Sequence, residues 1–171
     1  MKSIVVALSV ALTIAMPTHA EYVTAKSGLR VRAAPSLDAE VVGVLPFATE
    51  VSGVAKDGWL ETEDGYLSAE YLSDDDPLKD WSYMGSWLTT AYTHTGSVCA
   101  NGAYPTSGYT VACNSLPIGT ELYIKGVGFR TVEDRGPSYM PYEWIDVFMD
   151  GYGACVVYGE QYHEVWVIKN P

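Results

Sequence analysis

Short β-type runs broken by turn residues constrain the fold of this 171-residue chain more than any other feature of its sequence. In residues 21–73 these runs are Leu29–Arg32, Glu40–Leu45, Glu50–Val54, Trp59–Thr62 and Tyr66–Leu67. The turn signals Lys56-Asp57-Gly58 and Asp64-Gly65 separate the later runs. Strands this short, spaced about eight to twelve residues apart, predict a small all-β barrel or sandwich.

The same pattern returns after an acidic stretch. We predict six further strands, at Trp87–Tyr92, Tyr109–Ala112, Glu121–Lys125, Phe129–Glu133, Trp144–Met149 and Glu164–Ile168. One short helix is expected at Tyr152–Tyr158, and no stretch has the long 3.6-residue periodicity of an amphipathic helix. Residues 74–84, which include Asp74-Asp75-Asp76-Pro77, are interpreted as a solvated linker rather than a calcium site. The chain is therefore predicted to be all-β, with two modules.

The first twenty residues have the features of a secretory signal peptide. Lys2 supplies the positive start, Ile4 to Met16 is an apolar run, and Thr18-His19-Ala20 has the small residues of a cleavage site. The apolar run is short for a transmembrane helix, so an uncleaved membrane anchor is the weaker alternative. We expect cleavage after Ala20 and a secreted, extracellular or cell-wall-associated protein with no membrane contact afterwards.

The charge of the chain restricts its partners. The formal net charge is -11 at pH 7, and loss of Lys2 with the signal makes it about -12. Nucleic acids and anionic membranes attract clusters of Lys and Arg, so neither is expected to bind this protein. We expect a monomer.

Three cysteines, Cys99, Cys113 and Cys155, permit one disulfide and one free thiol in an exported chain. We expect Cys99–Cys113, which would close a loop of about fourteen residues and stabilise the fold by roughly 3 kcal/mol. Cys155 would then be a buried free thiol, and Cys113–Cys155 is the competing pairing. Since there is no C-x-x-C and the histidines are scattered, no metal or other cofactor is expected.

Two aspartates stand out in the stretch TVEDRGPSYMPYEWIDVF. Asp134 precedes a turn, and Asp146 lies within the apolar run Trp144–Phe148. A carboxylate in such a run is costly unless it has a partner or a function. Strand alternation places Asp146 on one face with Trp144 and Phe148. Taken singly, the two acids could be an Asx-turn residue and a buried acceptor of backbone N–H bonds.

Residues 25–73 resemble the bacterial SH3-like domain. The matching positions are Leu29, Val31, Arg32, Ala34-Pro35-Ser36, Val42-Gly43-Val44-Leu45, Gly58-Trp59, Gly65-Tyr66 and Tyr71-Leu72. The resemblance implies a wall-binding domain over residues 21–73, with Trp59, Tyr66 and Tyr71 as candidate contacts in an aromatic groove. The alternative is that these aromatics are core residues of a small barrel. Phe47-Ala48-Thr49 departs from the pattern, because a Gly is usual there.

Residues 87–168 resemble the three-aspartate, or 3D, domain that is shared with membrane-bound lytic transglycosylase A and stationary-phase survival proteins. The matching motifs are Thr90-Ala91-Tyr92, Val111-Ala112, Pro117-Ile118-Gly119-Thr120, Glu133-Asp134-Arg135-Gly136, Ile145-Asp146-Val147-Phe148 and Tyr158-Gly159. The resemblance implies a six-stranded double-psi β-barrel over residues 85–171. Asn114 stands where the family has its first aspartate, and residues 137–142 replace a Gly-rich insert.

This second resemblance implies cleavage of the glycosidic bond between N-acetylmuramic acid and N-acetylglucosamine. Asp146 would protonate the leaving oxygen, and the sugar's C6 hydroxyl would attack to give a 1,6-anhydro end. Such an acid needs a raised pKa, which the apolar neighbours and the charge of Asp134 would provide. Tyr92, Asn114 and Trp144 are the candidate substrate contacts, and the expected partners are peptidoglycan glycan strands and peptide stems.

Three alternatives stay open. A two-carboxylate hydrolase would use Asp134 as base or nucleophile, and the sequence does not give the carboxylate separation that decides between the two reactions. A catalytically inactive wall-binding protein is motivated by Asn114, which lacks the charge of the family's first acid. An expansin-like protein would loosen the wall without cleaving it.

Overall fold

The computed structural model describes residues 19–168, and His19 only by its backbone. The signal-peptide prediction falls almost entirely on residues 1–18, outside this range. The first strand begins at His19, before the predicted cleavage point. Cleavage after Ala20 would leave Glu21 and Tyr22 still paired with the neighbouring strand.

The N-terminal sheet has seven strands, and five of them match the predicted runs. They are β1 His19–Val23, β2 Leu29–Arg32, β3 Val41–Leu45, β4 Glu50–Lys56, β5 Trp59–Thr62, β6 Gly65–Ser68 and β7 Leu72–Ser73. Their order is β3-β2-β6-β5-β4-β1-β7, with antiparallel pairing throughout. Alternate side chains form a small core of Val23, Leu29, Val31, Leu60 and Leu67.

The C-terminal half is a closed six-stranded barrel. Its strands are β8 Trp81–Tyr92, β9 Thr110–Ala112, β10 Glu121–Ile124, β11 Gly128–Asp134, β12 Trp144–Phe148 and β13 Gln161–Ile168. The order around the barrel is β10-β11-β9-β12-β8-β13, and β13 pairs with β10 to close it. Two neighbouring pairs, β9 with β11 and β8 with β12, are parallel. All six predicted strands and the helix α1, Tyr152–Tyr158, are confirmed.

The interior of the barrel is filled by alternate residues of its strands. The buried side chains include Val111, Leu122, Val132, Ile145 and Val147. The predicted alternation in β12 is therefore confirmed, since Ile145 and Val147 point inward and Asp146 lies on the outer face. Strand β8 begins at Trp81, so the barrel starts within the stretch that was interpreted as a linker.

Phe47 joins the two halves. It is only 8% exposed, and its ring makes edge-on contacts with Tyr123 and Phe129 of the barrel, at centroid distances of 5.3 and 4.9 Å. The Tyr123 hydroxyl donates a hydrogen bond of 2.9 Å to the Phe47 carbonyl oxygen. The following residue, Ala48, has a φ of 59°, a conformation that favours glycine. The position where a Gly was expected is therefore a strained turn that inserts an aromatic anchor.

Candidate active site

Asp146 lies on the outer face of the barrel and is half-buried. In the parallel register it stands opposite Thr90 of β8. The Thr90 hydroxyl donates a hydrogen bond of 2.6 Å to Asp146 Oδ1 and accepts one of 3.0 Å from Trp144 Nε1. A single hydroxyl thus joins the acid to the neighbouring indole and fixes the rotamer of both side chains.

The surroundings of Asp146 favour its protonated form. Burial is the largest effect and raises the pKa of the carboxyl, while the hydrogen bond from Thr90 lowers it. The negative charge of Asp134 raises it further, and the net direction is upward. The two causes expected from the sequence, apolar surroundings and a neighbouring like charge, both act in the structure.

Asp134 ends β11 and is held by donors around its carboxylate. Oδ1 accepts hydrogen bonds from the backbone N–H groups of Ala100, at 2.9 Å, and Arg135, at 2.8 Å. Oδ2 accepts a longer bond of 3.4 Å from the Tyr92 hydroxyl. Burial, followed by the charge of Asp134, raises the pKa of Tyr92, which keeps this phenol a hydrogen-bond donor. Asp134 is therefore a fixed acceptor close enough to Asp146 for its charge to matter.

Asn114 holds the turn that follows Asp134. Its amide nitrogen donates to the Pro137 carbonyl oxygen at 2.9 Å, and its amide oxygen accepts from the Gly136 N–H at 3.0 Å. The Arg135 side chain donates to the Cys113 carbonyl oxygen and ties the same two loops together. An ionised aspartate could not make the donor bond to Pro137, so Asn114 performs a positioning role that its amide suits.

Gly136 connects this turn to the acid. A Cβ added at Gly136 would lie 2.1 Å from Trp144 Cη2, so only glycine allows the turn to pack on the indole. A sequence of contacts then runs from Asn114 through Gly136, Trp144 and Thr90 to Asp146. Thr90 and Gly136 were not singled out from the sequence as site residues, although both lie within the motifs that carried the resemblance.

The structure buries Trp144, which was one of the candidate substrate contacts. Trp144 is 2% exposed and Phe148 is 1% exposed, because the turn at Gly136 covers the indole and Tyr92 packs on Phe148. The aromatic face beside Asp146 is therefore a buried support. Exposed aromatic rings lie instead in the segments that flank β12, at Tyr139 and Tyr142 before it and at Tyr152, the first residue of α1, and these are 83%, 67% and 77% exposed.

The candidate wall contacts of the N-terminal sheet are only partly brought together. Trp59 and Tyr66 line one small pocket of about 160 Å³, and the Tyr66 hydroxyl donates to Glu61 Oε1 at 3.1 Å. Tyr71 lies on a 3-10 turn after β6 and does not line that pocket. Its backbone carbonyl accepts a bond from Thr24 instead.

The predicted disulfide between Cys99 and Cys113 is not formed, and Cys99, Cys113 and Cys155 are all free thiols. Cys113 packs into the barrel core, with its sulfur 3.4 Å from the Ser115 hydroxyl. Cys99 lies instead beside the Tyr92 hydroxyl and the charge of Asp134. Burial is the largest effect that raises the pKa of the Cys99 thiol, and the charge of Asp134 raises it further. The two sulfurs therefore face different surroundings, and the competing Cys113–Cys155 pairing is absent as well.

Within residues 19–168 no group of three His, Cys, Asp or Glu side chains is placed to hold a metal ion. No helix in that range is long and apolar enough to cross a membrane.

Comparison of the chain with family models, curated proteins and solved structures finds no match. The fold defines the class as a mostly β protein with a closed six-stranded barrel, and the residues around Asp146 define the candidate chemistry.

Proposed function

We propose that this protein is a secreted peptidoglycan-active enzyme that cleaves the bond between N-acetylmuramic acid and N-acetylglucosamine as a lytic transglycosylase. The observation that carries the proposal is the environment of Asp146, a half-buried carboxyl whose pKa is raised by burial and by Asp134. A raised pKa favours the protonated form, which is the form that a general acid needs in order to donate its proton. The closed six-stranded barrel supports the interpretation of residues 85–171 as a double-psi β-barrel of the 3D type.

In the proposed reaction Asp146 gives its proton to the glycosidic oxygen, and the bond from that oxygen to C1 of the muramic acid breaks. The C6 hydroxyl of the same sugar attacks C1 and returns its proton to the Asp146 carboxylate. Bonds and protons balance without water, and the product carries a 1,6-anhydro ring. Asp134 contributes by its charge, which favours reprotonation of Asp146 after each cycle.

Asn114 is compatible with this reaction. Both polar atoms of its side chain are used to hold the turn at Gly136 and Pro137. Asn114, at the position of the family's first aspartate, would then act by geometry alone. The turn that it holds supports Trp144 and, through Thr90, Asp146. The missing charge leaves one like charge, that of Asp134, to raise the pKa of Asp146.

The N-terminal sheet is proposed to be an SH3-like module that holds the enzyme on the wall. The pocket that Trp59 and Tyr66 line offers an aromatic surface of the expected kind. Because Phe47 ties this module to the barrel, capture of the wall by one half keeps the other half near its substrate. A weak affinity of the N-terminal module for the wall would then be sufficient.

Product analysis tests the proposal and separates it from its rivals. Purified peptidoglycan is incubated with the mature protein, and the released fragments are identified by mass spectrometry. Anhydromuramyl ends are expected. Reducing ends would instead assign the hydrolase reaction in which Asp134 acts as base or nucleophile. Wall binding without released fragments would contradict both enzymes and leave a binding or expansin-like protein.

A further inference from the structure

A cavity with aromatic walls lies where the two halves of the molecule meet. Its volume is about 410 Å³, within the range of pockets that bind small ligands. Its lining comes from the N-terminal sheet, from the segment before β8, and from the barrel strands β10 and β13, and it includes Tyr22, Glu50, Asp76, Tyr123 and Trp166. We refer to this cavity as the junction pocket.

Strand pairing aims the side chains of the N-terminal wall. Tyr22 of β1 stands opposite Glu50 of β4 in the antiparallel register, so their side chains share one face of the sheet. The next residue on each strand, Val23 and Val51, packs in the small core on the other face. Tyr22 and Glu50 therefore project from the outer face, and both line the junction pocket.

The barrel wall of the junction pocket is built from rings that hold one another. Tyr123 of β10 stands opposite Trp166 of β13, and the residues on either side of each pack in the barrel core. Their ring centroids are 5.9 Å apart on the outer face. Phe47 packs edge-on against Tyr123 at 5.3 Å, and Tyr83 packs on Trp166 at 5.0 Å. A wall fixed by so many contacts is preformed, which lowers the entropic cost of binding a ligand.

Two carboxylates give the junction pocket a negative charge. Glu50 is exposed at its rim and Asp76 is half-buried. The Leu78 backbone N–H donates a hydrogen bond of 2.8 Å to Asp76 Oδ1, which fixes the direction of that side chain. Between residues 19 and 168 neither acid forms an ion pair.

The lysines nearby have carboxylate partners of their own. Lys125 lines the junction pocket, and its Nζ lies 2.6 Å from Glu164 Oε2. Lys79 does not line the pocket, and its Nζ lies 2.8 Å from Asp75 Oδ1. The two acids of the pocket are therefore left to a positively charged ligand. Carboxylates accept hydrogen bonds from an ammonium group, and the faces of Trp and Tyr rings attract a cation as well.

We propose that the junction pocket binds the protonated primary amine of a small organic molecule. Glu50 and Asp76 accept hydrogen bonds from its N–H groups, and the rings of Tyr22 and Trp166 contact the carbon atoms that carry it. The site is separate from Asp146, because β8 lies between β13 and β12 in the ring of six strands. The proposal therefore does not rest on glycan cleavage.

Backbone NMR of the isotope-labelled mature protein at pH 6 and constant ionic strength tests this directly. The probes are glucosamine, which carries the amine on a sugar ring, and n-butylammonium, which carries it on an aliphatic chain. Their neutral counterparts are N-acetylglucosamine and 1-butanol. We expect saturable shifts with both amines at Tyr22, at residues 47–50 and 76–78, and at Trp166, and none with the neutral compounds. The amine with the lower Kd identifies which kind of molecule the pocket fits.

Two isosteric variants test the carboxylates. Glu50→Gln and Asp76→Asn each remove one charge, and the asparagine keeps an oxygen for the Leu78 N–H. Each variant should weaken amine binding by about twofold to fivefold, the factor for one partly exposed charge contact. The control is Glu40→Gln, which removes an exposed carboxylate of the same module outside the pocket and should leave the affinity unchanged.

Three results would overturn the proposal. They are an absence of saturable shifts with both amines, equal binding of the neutral compounds, and wild-type affinity in both carboxylate variants. The same shifts with sodium chloride at the concentration of the amines would also overturn it, because the pocket would then respond to salt alone.

Discussion

The two halves of the molecule differ in how they use polar residues. The N-terminal sheet has a small core and keeps the candidate wall contacts Trp59 and Tyr66 partly exposed, in a small pocket. The barrel has a larger core and supports half-buried acids on its outer face through specific donors. This contrast is the reason we propose wall binding for the first half and proton transfer for the second, since burial is the main cause of the raised pKa of Asp146.

The largest loss of stability is expected from a substitution where the two halves of the molecule meet. Phe47→Ala should destabilise the protein by about 3–4 kcal/mol, because it removes a buried aromatic ring from a socket of aromatic side chains. Denaturant unfolding followed by tryptophan fluorescence should change from one transition to two. Leu37→Ala, at a side chain that is 70% exposed, is the control and should leave the curve unchanged. A single unshifted transition for Phe47→Ala would show that the halves are not coupled through this residue.

Within the barrel, Gly136→Ala tests the support of the acid. The added methyl would meet the Trp144 ring at 2.1 Å, and we expect a loss of about 2–3 kcal/mol in the free energy of unfolding. Activity should fall more than stability explains, because a displaced Trp144 no longer holds Thr90. Gly153→Ala, where a Cβ meets nothing within 4 Å, is the matched control. Equal stability of the two variants would contradict the packing argument.

Asp146→Asn should change the pH dependence of stability. Because the folded-state pKa of Asp146 is raised, its contribution to stability is fully present below the unfolded pKa of about 3.9 and is lost as pH rises through the folded value. Asn does not ionise, so the stability of the variant relative to wild type should increase from pH 3 to pH 7. Unfolding in urea at both values measures this, with the exposed Asp64→Asn as control. A difference that is independent of pH would contradict the raised pKa.

The smallest change in stability is expected from a substitution of Ala48, the residue that follows Phe47. Its φ of 59° is strained for alanine, so Ala48→Gly should stabilise the protein by about 0.5–1 kcal/mol. The measurement is the midpoint of thermal or urea unfolding. An unchanged or lower midpoint would mean that the gain in backbone freedom of the unfolded chain outweighs the relief of strain.

The local sequence pattern was sufficient to predict the strands, but it was insufficient to predict the side-chain contacts between them. The six barrel strands and α1 follow from runs of apolar and β-branched residues, and alternation alone placed Asp146 opposite in direction to Ile145 and Val147. The bond from Thr90 to Asp146 joins residues 56 positions apart, and the contact of Gly136 with Trp144 depends on how a turn folds back. Neither appears in a local pattern, because the first arises only when β8 and β12 pair and the second only when the turn packs back on the indole.

The errors have the same origin. The cysteine prediction used loop length, but Cys113 faces the core while Cys99 faces Tyr92 and Asp134. Trp144 was expected to contact substrate and shares a strand face with Asp146, but the turn at Gly136 covers the indole. Phe47 was noted only as a departure from a pattern, and its function as an anchor required the position of the barrel. The direction of the Asp146 pKa was predictable because its causes lie in adjacent sequence and in one neighbouring acid.

The rate of fragment release from peptidoglycan by Asp146→Asn tests the central claim most directly. The variant is compared with wild type and with Asp150→Asn, which removes an exposed carboxylate two residues after the end of β12. If Asp146 is the proton donor, its variant should lose release by about a hundredfold or more while wall pull-down is retained, and Asp150→Asn should be close to wild type. Release at the wild-type rate by a folded Asp146→Asn protein would contradict the account.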